Sequence, residues 1–148
     1  MSELSDLYQE FILDHSRSPR NFRSVPNANR HARGYNPLCG DRVTLTLRVE
    51  DGVVADIGFE GSGCAISTAA ASTMTEAVKG KPVEEVEKMF EGFHELLTGK
   101  SRDASALPTK LRVFQGVCAY PMRVKCATLA WHALHNALQS QDAMASTE

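Results

Sequence analysis

The stretch from Arg42 to Glu60 constrains the fold more than any other part of the chain. Val43, Leu45, Leu47 and Val49 alternate with Arg42, Thr44, Thr46 and Arg48, the period of a half-buried strand. A second apolar set, Val53, Ala55, Ile57 and Phe59, follows Glu50-Asp51-Gly52. Two such runs around Asp-Gly form a β-hairpin. A two-residue turn would set Leu47 opposite Asp56. A three-residue loop with a left-handed Gly52 sets Val49 opposite Val53, Leu47 opposite Ala55, Leu45 opposite Ile57 and Val43 opposite Phe59. The three-residue loop is therefore the expectation, since it keeps one face apolar. At the open end it places Asp41 opposite Gly61 and Cys39 opposite Gly63. Cys39 and Cys64, 25 positions apart, should then come within reach of one ion. Asp41 shares the parity of Val43, so its carboxylate points inward, where it needs a cation or donors.

The chain has 148 residues, enough for a real core in one domain spanning 1–148. It is 43% apolar and 23% charged, with net charge −2. No basic excess points to nucleic acid, and no apolar run approaches membrane-span length. Met-Ser-Glu-Leu-Ser-Asp lacks the features of a secretory signal, so the expected location is cytoplasmic. Structural disulfides are disfavoured there. For Cys39, Cys64, Cys118 and Cys126, metal binding or sulfur chemistry takes precedence over bridging.

Residues 3–15 carry Leu4, Leu7, Tyr8, Phe11 and Ile12 at helical spacing. Residues 16–29 hold two prolines, three arginines and three asparagines, and read as an extended loop. Residues 31–35 add a short third strand. The alanine-rich stretch from Cys64 to Lys79 reads as a helix ending at Gly80, with Cys64 in its first turn. Free amides and the helix dipole favour a thiolate there. Pro82 to Lys88 opens another helix, and Phe90 to Leu97 a further short one. Residues 98–108 read as an exposed loop, and Leu111 to Val117 as a short helical segment. Pro121 starts the last helix, whose stripe of Cys126, Leu129, Ala130, Ala133, Leu134, Ala137 and Leu138 faces the core. The tail from about 140 is polar and expected to fray.

Cys39, Asp41, Cys64 and Cys126 can thus converge. Four ligands suit tetrahedral zinc, and thiolates equally suit an iron–sulfur cluster. Each residue also has a plainer role: Cys126 as a buried hydrophobe, Asp41 as a cap or turn acid. Cys118 lies in a plain apolar context and reads as a core cysteine. His132 and His135 lie away from the Cys126 stripe and read as solvated surface. Arg123 and Lys125 stand beside Cys126. Three thiolates, a carboxylate and Zn²⁺ sum to about −2, a charge that nearby cations would offset.

These motifs carry a resemblance. Asn-Pro-Leu-Cys39-Gly-Asp41, Gly61-Ser62-Gly63-Cys64-Ala-Ile-Ser and Arg123-Val-Lys125-Cys126-Ala-Thr-Leu-Ala-Trp occur in the order found in the U-type iron–sulfur scaffold family, the IscU/NifU-N-terminal group. The chain resembles that family from about Leu4 to Leu138. The resemblance implies an α+β fold, with a small antiparallel three-stranded sheet, helices packed on one face and the site at the exposed end. It implies Cys39, Asp41, Cys64 and Cys126 as ligands. Within the family the chain is similar to the SufU branch. Lys125 stands where the IscU branch has histidine, an insertion runs through about Glu91 to Thr109, and Ala119-Tyr120-Pro121-Met122-Arg123 replaces the Leu-Pro-Pro-Val-Lys stretch that serves a specialised chaperone. That branch implies a zinc-dependent sulfurtransferase. Its Cys39 accepts persulfide sulfur from a pyridoxal-phosphate cysteine desulfurase of the SufS/IscS type and passes it toward a cluster scaffold or apo-protein acceptors. The IscU branch implies instead a scaffold carrying a transient [2Fe–2S] cluster on the same ligands. A zinc-stabilised binding module without turnover keeps the metal and drops the chemistry. A thiol–disulfide oxidoreductase is disfavoured because no CxxC is present.

Overall fold

The computed structural model describes residues 3–38, 40–100, 107–117, 120–139 and 142–146. The hairpin forms from β2 (Asp41–Glu50) and β3 (Val53–Ser62). Its turn corrects the expected three-residue loop. Glu50 pairs with Val53, and Asp51 and Gly52 take φ of 52° and 73°. Both central residues are left-handed, the conformation of a type I′ two-residue turn. The clash of Leu47 with Asp56 is avoided by a bulge. Val49 pairs with Val54 and Arg48 with Asp56, so Ala55 is skipped; below it Leu47 pairs with Ile57 and Leu45 with Phe59. The body of the hairpin is displaced by two residues from the expected pairing. A slip of two preserves faces, so Leu45, Leu47 and Ile57 are still fully buried.

β1 (Arg30–Asn36) pairs antiparallel with β2, from Arg30 opposite Leu47 to Asn36 opposite Asp41. These three strands are the antiparallel sheet expected from sequence. A fourth strand, β4 (Asp142–Ser146), lies parallel to β1 and gives the order β3-β2-β1-β4. The tail expected to fray from about 140 therefore extends the sheet, because the outer edge of β1 offers unpaired backbone groups.

The helices are α1 (Glu3–Arg17), α2 (Ala65–Val78), α3 (Val83–Thr98), α4 (Thr109–Arg112) and α5 (Pro121–Gln139); a 3₁₀ turn, Val113–Val117, continues α4. α3 is one helix where two short ones were expected. Val86, Met89, Phe93, Leu96 and Leu97 form an unbroken buried stripe, and this packing overrides Gly92 within it. Gly99 ends α3 with φ 78°, and the Lys100 amide donates back to the Glu95 carbonyl. The core joins α2 (Ala69, Ala70, Met74), α3 (Phe93) and α5 (Leu129, Trp131, Leu134) to the inner face of the sheet. Phe93 stacks on Trp131 at 5.2 Å. The 16–29 segment is the loop expected from sequence beyond the end of α1. It runs back along the sheet, where the Val25 amide donates to Thr46 Oγ1 (2.8 Å) and the Phe59 amide to the Asn21 carbonyl (3.0 Å). α5 runs antiparallel to β1: the Arg30 guanidinium donates to the Ala137 carbonyl at 3.2 Å, while Gly34 lies under Leu129.

Candidate metal centre

Three elements end together at one end of the sheet. Asp41 is the first residue of β2 and is buried. Its Oδ1 accepts from the Cys64 amide at 2.9 Å, and its Oδ2 lies 3.7 Å from the Cys64 thiol that donates to it. Continuing the pairing past Arg42 and Ser62 puts Gly63, rather than Gly61, beside Asp41. A methyl group on residue 63 would lie 2.7 Å from Asp41 Oδ1, so the carboxylate occupies the space a side chain would fill.

Cys64 is the N-cap of α2 rather than a residue of its first turn. Its φ and ψ are −70° and 168°, and its Sγ accepts from the Ser67 amide at 3.4 Å. Thiolate sulfur here answers the unsatisfied amides of a helix start. The thiol pKa falls from 9.0 to about 7, chiefly through the hydrogen bond from Cys126; the Ser67 and Ile66 amides add to this, while burial and the Asp41 charge oppose it. Cys126 lies on the second turn of α5 and is buried.

One ligand atom from each of Asp41, Cys64 and Cys126 lies within 4.8 Å of the others. In a tetrahedral zinc site, thiolates at about 2.3 Å from the ion are about 3.8 Å apart, so small side-chain adjustments suffice. Two thiols and a carboxylate are also a donor set zinc accepts. The residues present therefore fit a zinc ion. Among the described residues no other three or more of these side-chain types gather so closely. Cys39, the fourth expected ligand, and Cys118 lie outside the described residues. The residues on either side of position 39 are tied to Asn36: the Gly40 amide donates to its carbonyl (2.8 Å) and the Leu38 amide to its Oδ1 (3.1 Å).

Arg123 is exposed and its guanidinium lies over the Tyr120 ring at 4.8 Å; Lys125 is half-buried. Leu38, Tyr120 and Met122 expose apolar side chains on the chain segments that flank the ligands. His132 and His135 are not the solvated pair expected from sequence. Phe90 of α3 stacks on His135 at 4.9 Å, His94 lies 5.4 Å from His132, and His135 Nδ1 lies 2.8 Å from Glu87 Oε2. The unbroken α3 covers them, and burial lowers the His132 pKa. Asn36 stands in the sequence motif around Cys39 without a role of its own there, yet it holds both Leu38 and Gly40. Its position opposite Asp41 in a paired β1–β2 ladder is the signal that would have found it.

Together these features define a class: a small α+β protein with a thiol-rich, partly open centre at the end of its sheet. The chain belongs to the family described as NifU-like N terminal domain, matched over residues 7–127. It is 40% identical over 141 residues to the zinc-dependent sulfurtransferase SufU of Bacillus subtilis (strain 168), covering 95% of each chain. It is 41% identical over 133 residues to the iron–sulfur cluster assembly scaffold protein IscU of Thermotoga maritima, covering 90% of this chain and 93% of that one. Among solved structures, a putative iron–sulfur cluster assembly scaffold protein for the SUF system from Fervidobacterium islandicum superimposes with a TM-score of 0.83 at 38% identity, covering 87% of this chain and 94% of that one.

Proposed function

We propose that this chain is an iron–sulfur cluster assembly protein that accepts persulfide sulfur through a zinc centre of Cys39, Asp41, Cys64 and Cys126. The observation that carries the reading is the convergence of the Asp41, Cys64 and Cys126 ligand atoms within 4.8 Å, with Cys39 two positions before Asp41 in the chain. Bound zinc would keep the thiols as thiolates and shield them from oxidation. Cys39 is the acceptor. Its thiolate attacks the terminal sulfur of a persulfide on a pyridoxal-phosphate cysteine desulfurase. A Cys39–S bond forms, the partner's S–S bond breaks, and the partner leaves as a thiolate that takes up a proton. Such exchange is governed by thiolate fraction, leaving-group pKa and access. Asp41 holds Cys64 through its amide, and the low Cys64 pKa keeps a second thiolate ready. Arg123 and Lys125 supply positive charge on the helix that carries Cys126. Sulfur then passes to a cluster scaffold or an apo-protein. No described helix is long and apolar enough to cross a membrane. The setting we propose is the cytoplasm.

A second reading is favoured by the IscU-named relatives, which match at similar identity. There the same four residues hold a transient [2Fe–2S] cluster, which is cargo. Elemental analysis of protein purified without added metal tests both. One zinc per chain, lost in Cys64→Ser and Cys126→Ser, supports the sulfurtransferase reading. Iron and acid-labile sulfide, with no zinc displaced, supports the scaffold.

A further inference from the structure

Asn36 presents an unmet hydrogen-bond donor at the edge of the centre. The residue is fully buried, and its Nδ2 has no partner. A buried amide donor left unpaired is costly, so such a group calls for an acceptor that the metal-free chain does not provide. Its orientation is constrained, because Oδ1 already accepts from the Leu38 amide at 3.1 Å.

The direction it faces follows from the ladder. Asn36 and Asp41 are directly paired across β1 and β2, so their side chains lie on the same buried face. That face points at α5. Arg30, at the start of β1, reaches the Ala137 carbonyl, and four residues later a methyl on Gly34 would lie 3.0 Å from Leu129 Cδ1. Four strand residues span about 13 Å and eight helix residues about 12 Å, so strand and helix advance in step. Two residues beyond Gly34 is a further advance of about 6.6 Å, which on α5 leads about four residues back from Leu129, to the turn of Cys126. Asp41, although paired with Asn36 across the ladder, does not receive this donor; its Oδ1 and Oδ2 accept from the Cys64 amide and thiol.

We infer that Asn36 is a positioning residue of the metal centre whose Nδ2 donates to the Cys126 sulfur when that sulfur is a metal-bound thiolate. The inference rests on the metal-centre reading above. A thiol is a weak acceptor, whereas an anionic sulfur takes charge-assisted hydrogen bonds. The bond spreads the negative charge of the filled site and ties the ligand turn, through Asn36, to α5. Groups that orient ligands in this way typically contribute 10–100-fold in metal affinity.

The test uses the full chain loaded with ¹¹³Cd and labelled with ¹⁵N. We expect a through-bond ¹H–¹¹³Cd correlation to one Asn36 side-chain amide proton, and a downfield shift of that proton on loading. Asn36→Asp keeps an oxygen for the Leu38 amide and removes the donor; it should weaken zinc at least tenfold in chelator competition. Asn36→Ala, which removes both functions, should weaken it further. Cadmium bound by the wild-type chain with no Asn36 correlation and no amide shift overturns the assignment, as does wild-type zinc affinity in a folded Asn36→Asp. The wild-type spectrum decides the matter if neither variant folds. A wild-type chain that binds neither metal overturns the metal-centre reading itself, and this inference with it.

Discussion

Gly63→Ala tests how the centre is assembled, because it adds one carbon where the structure has none to spare. The new Cβ would lie 2.7 Å from Asp41 Oδ1 and 3.1 Å from its Cγ, whereas ordinary contact begins near 3.4 Å. The carboxylate must retreat by about 0.7 Å, the difference of the first and last of these distances. Residue 63 is not one of the glycines with positive φ, so backbone strain adds nothing. The retreat spoils the 2.9 Å hydrogen bond from the Cys64 amide. A hydrogen bond to a charged group contributes about 1.5–3 kcal/mol. Replacing glycine regains about 0.4–1 kcal/mol by restricting the unfolded chain. The net expectation is a loss of about 1–2 kcal/mol in the metal-free protein, read by urea denaturation. Zinc affinity should fall about 10–100-fold, because Asp41 no longer points at the two sulfurs. Gly80→Ala is the control. Its φ of 82° strains an alanine, but nothing lies within 4 Å of the new carbon and the site is distant. It should cost about 1–2 kcal/mol and leave zinc affinity unchanged. A Gly63→Ala protein with wild-type zinc affinity would refute the claim that the placement of Asp41 depends on this glycine.

Three further outcomes are expected. In the metal-free protein the rate of Cys64 alkylation should titrate with a midpoint of about 7, and Cys126→Ala should move that midpoint upward, since the Cys126 hydrogen bond is the largest cause of the lowering. Burial lowers the folded-state pKa values of His15 and His132 below 6.5. The unfolded chain then binds more protons, so their contribution to stability is complete above about pH 6.5 and is lost as pH falls from there through the folded values. A His132→Gln variant should show a shallower decline in stability over that range. Cys118→Ser should leave the metal stoichiometry unchanged; loss of bound metal would add Cys118 to the ligand set.

The sequence made the faces of the hairpin legible, but not its register. Alternation from Val43 to Val49 depends only on parity, which a slip of two residues preserves. The bulge at Ala55 depends on how the Asp51-Gly52 turn and the core face reconcile their geometries, and no single residue signals it. The clustering of Asp41, Cys64 and Cys126 was nonetheless readable, because the two strands and two helix starts fix it from several directions. β4 was not readable, since the short segment Asp142–Ser146 carries little apolar pattern and gains its pairing from the edge of β1. The expected break between Lys88 and Phe90 is bridged in α3, where the stripe of Val86, Met89, Phe93, Leu96 and Leu97 runs straight through it. The same error left His132 and His135 uncovered.

Sulfur transfer at a zinc centre requires both the metal and Cys39. The most direct measurement pairs zinc content with cysteine desulfurase turnover, using the wild-type chain and Cys39→Ala. If sulfur transfer runs through this centre, the wild-type chain holds one tight zinc, stimulates turnover and carries a persulfide on Cys39 detected by mass spectrometry, and Cys39→Ala abolishes the stimulation. Stimulation that survives in Cys39→Ala, with no sulfur found on residue 39 of the wild type, would contradict it.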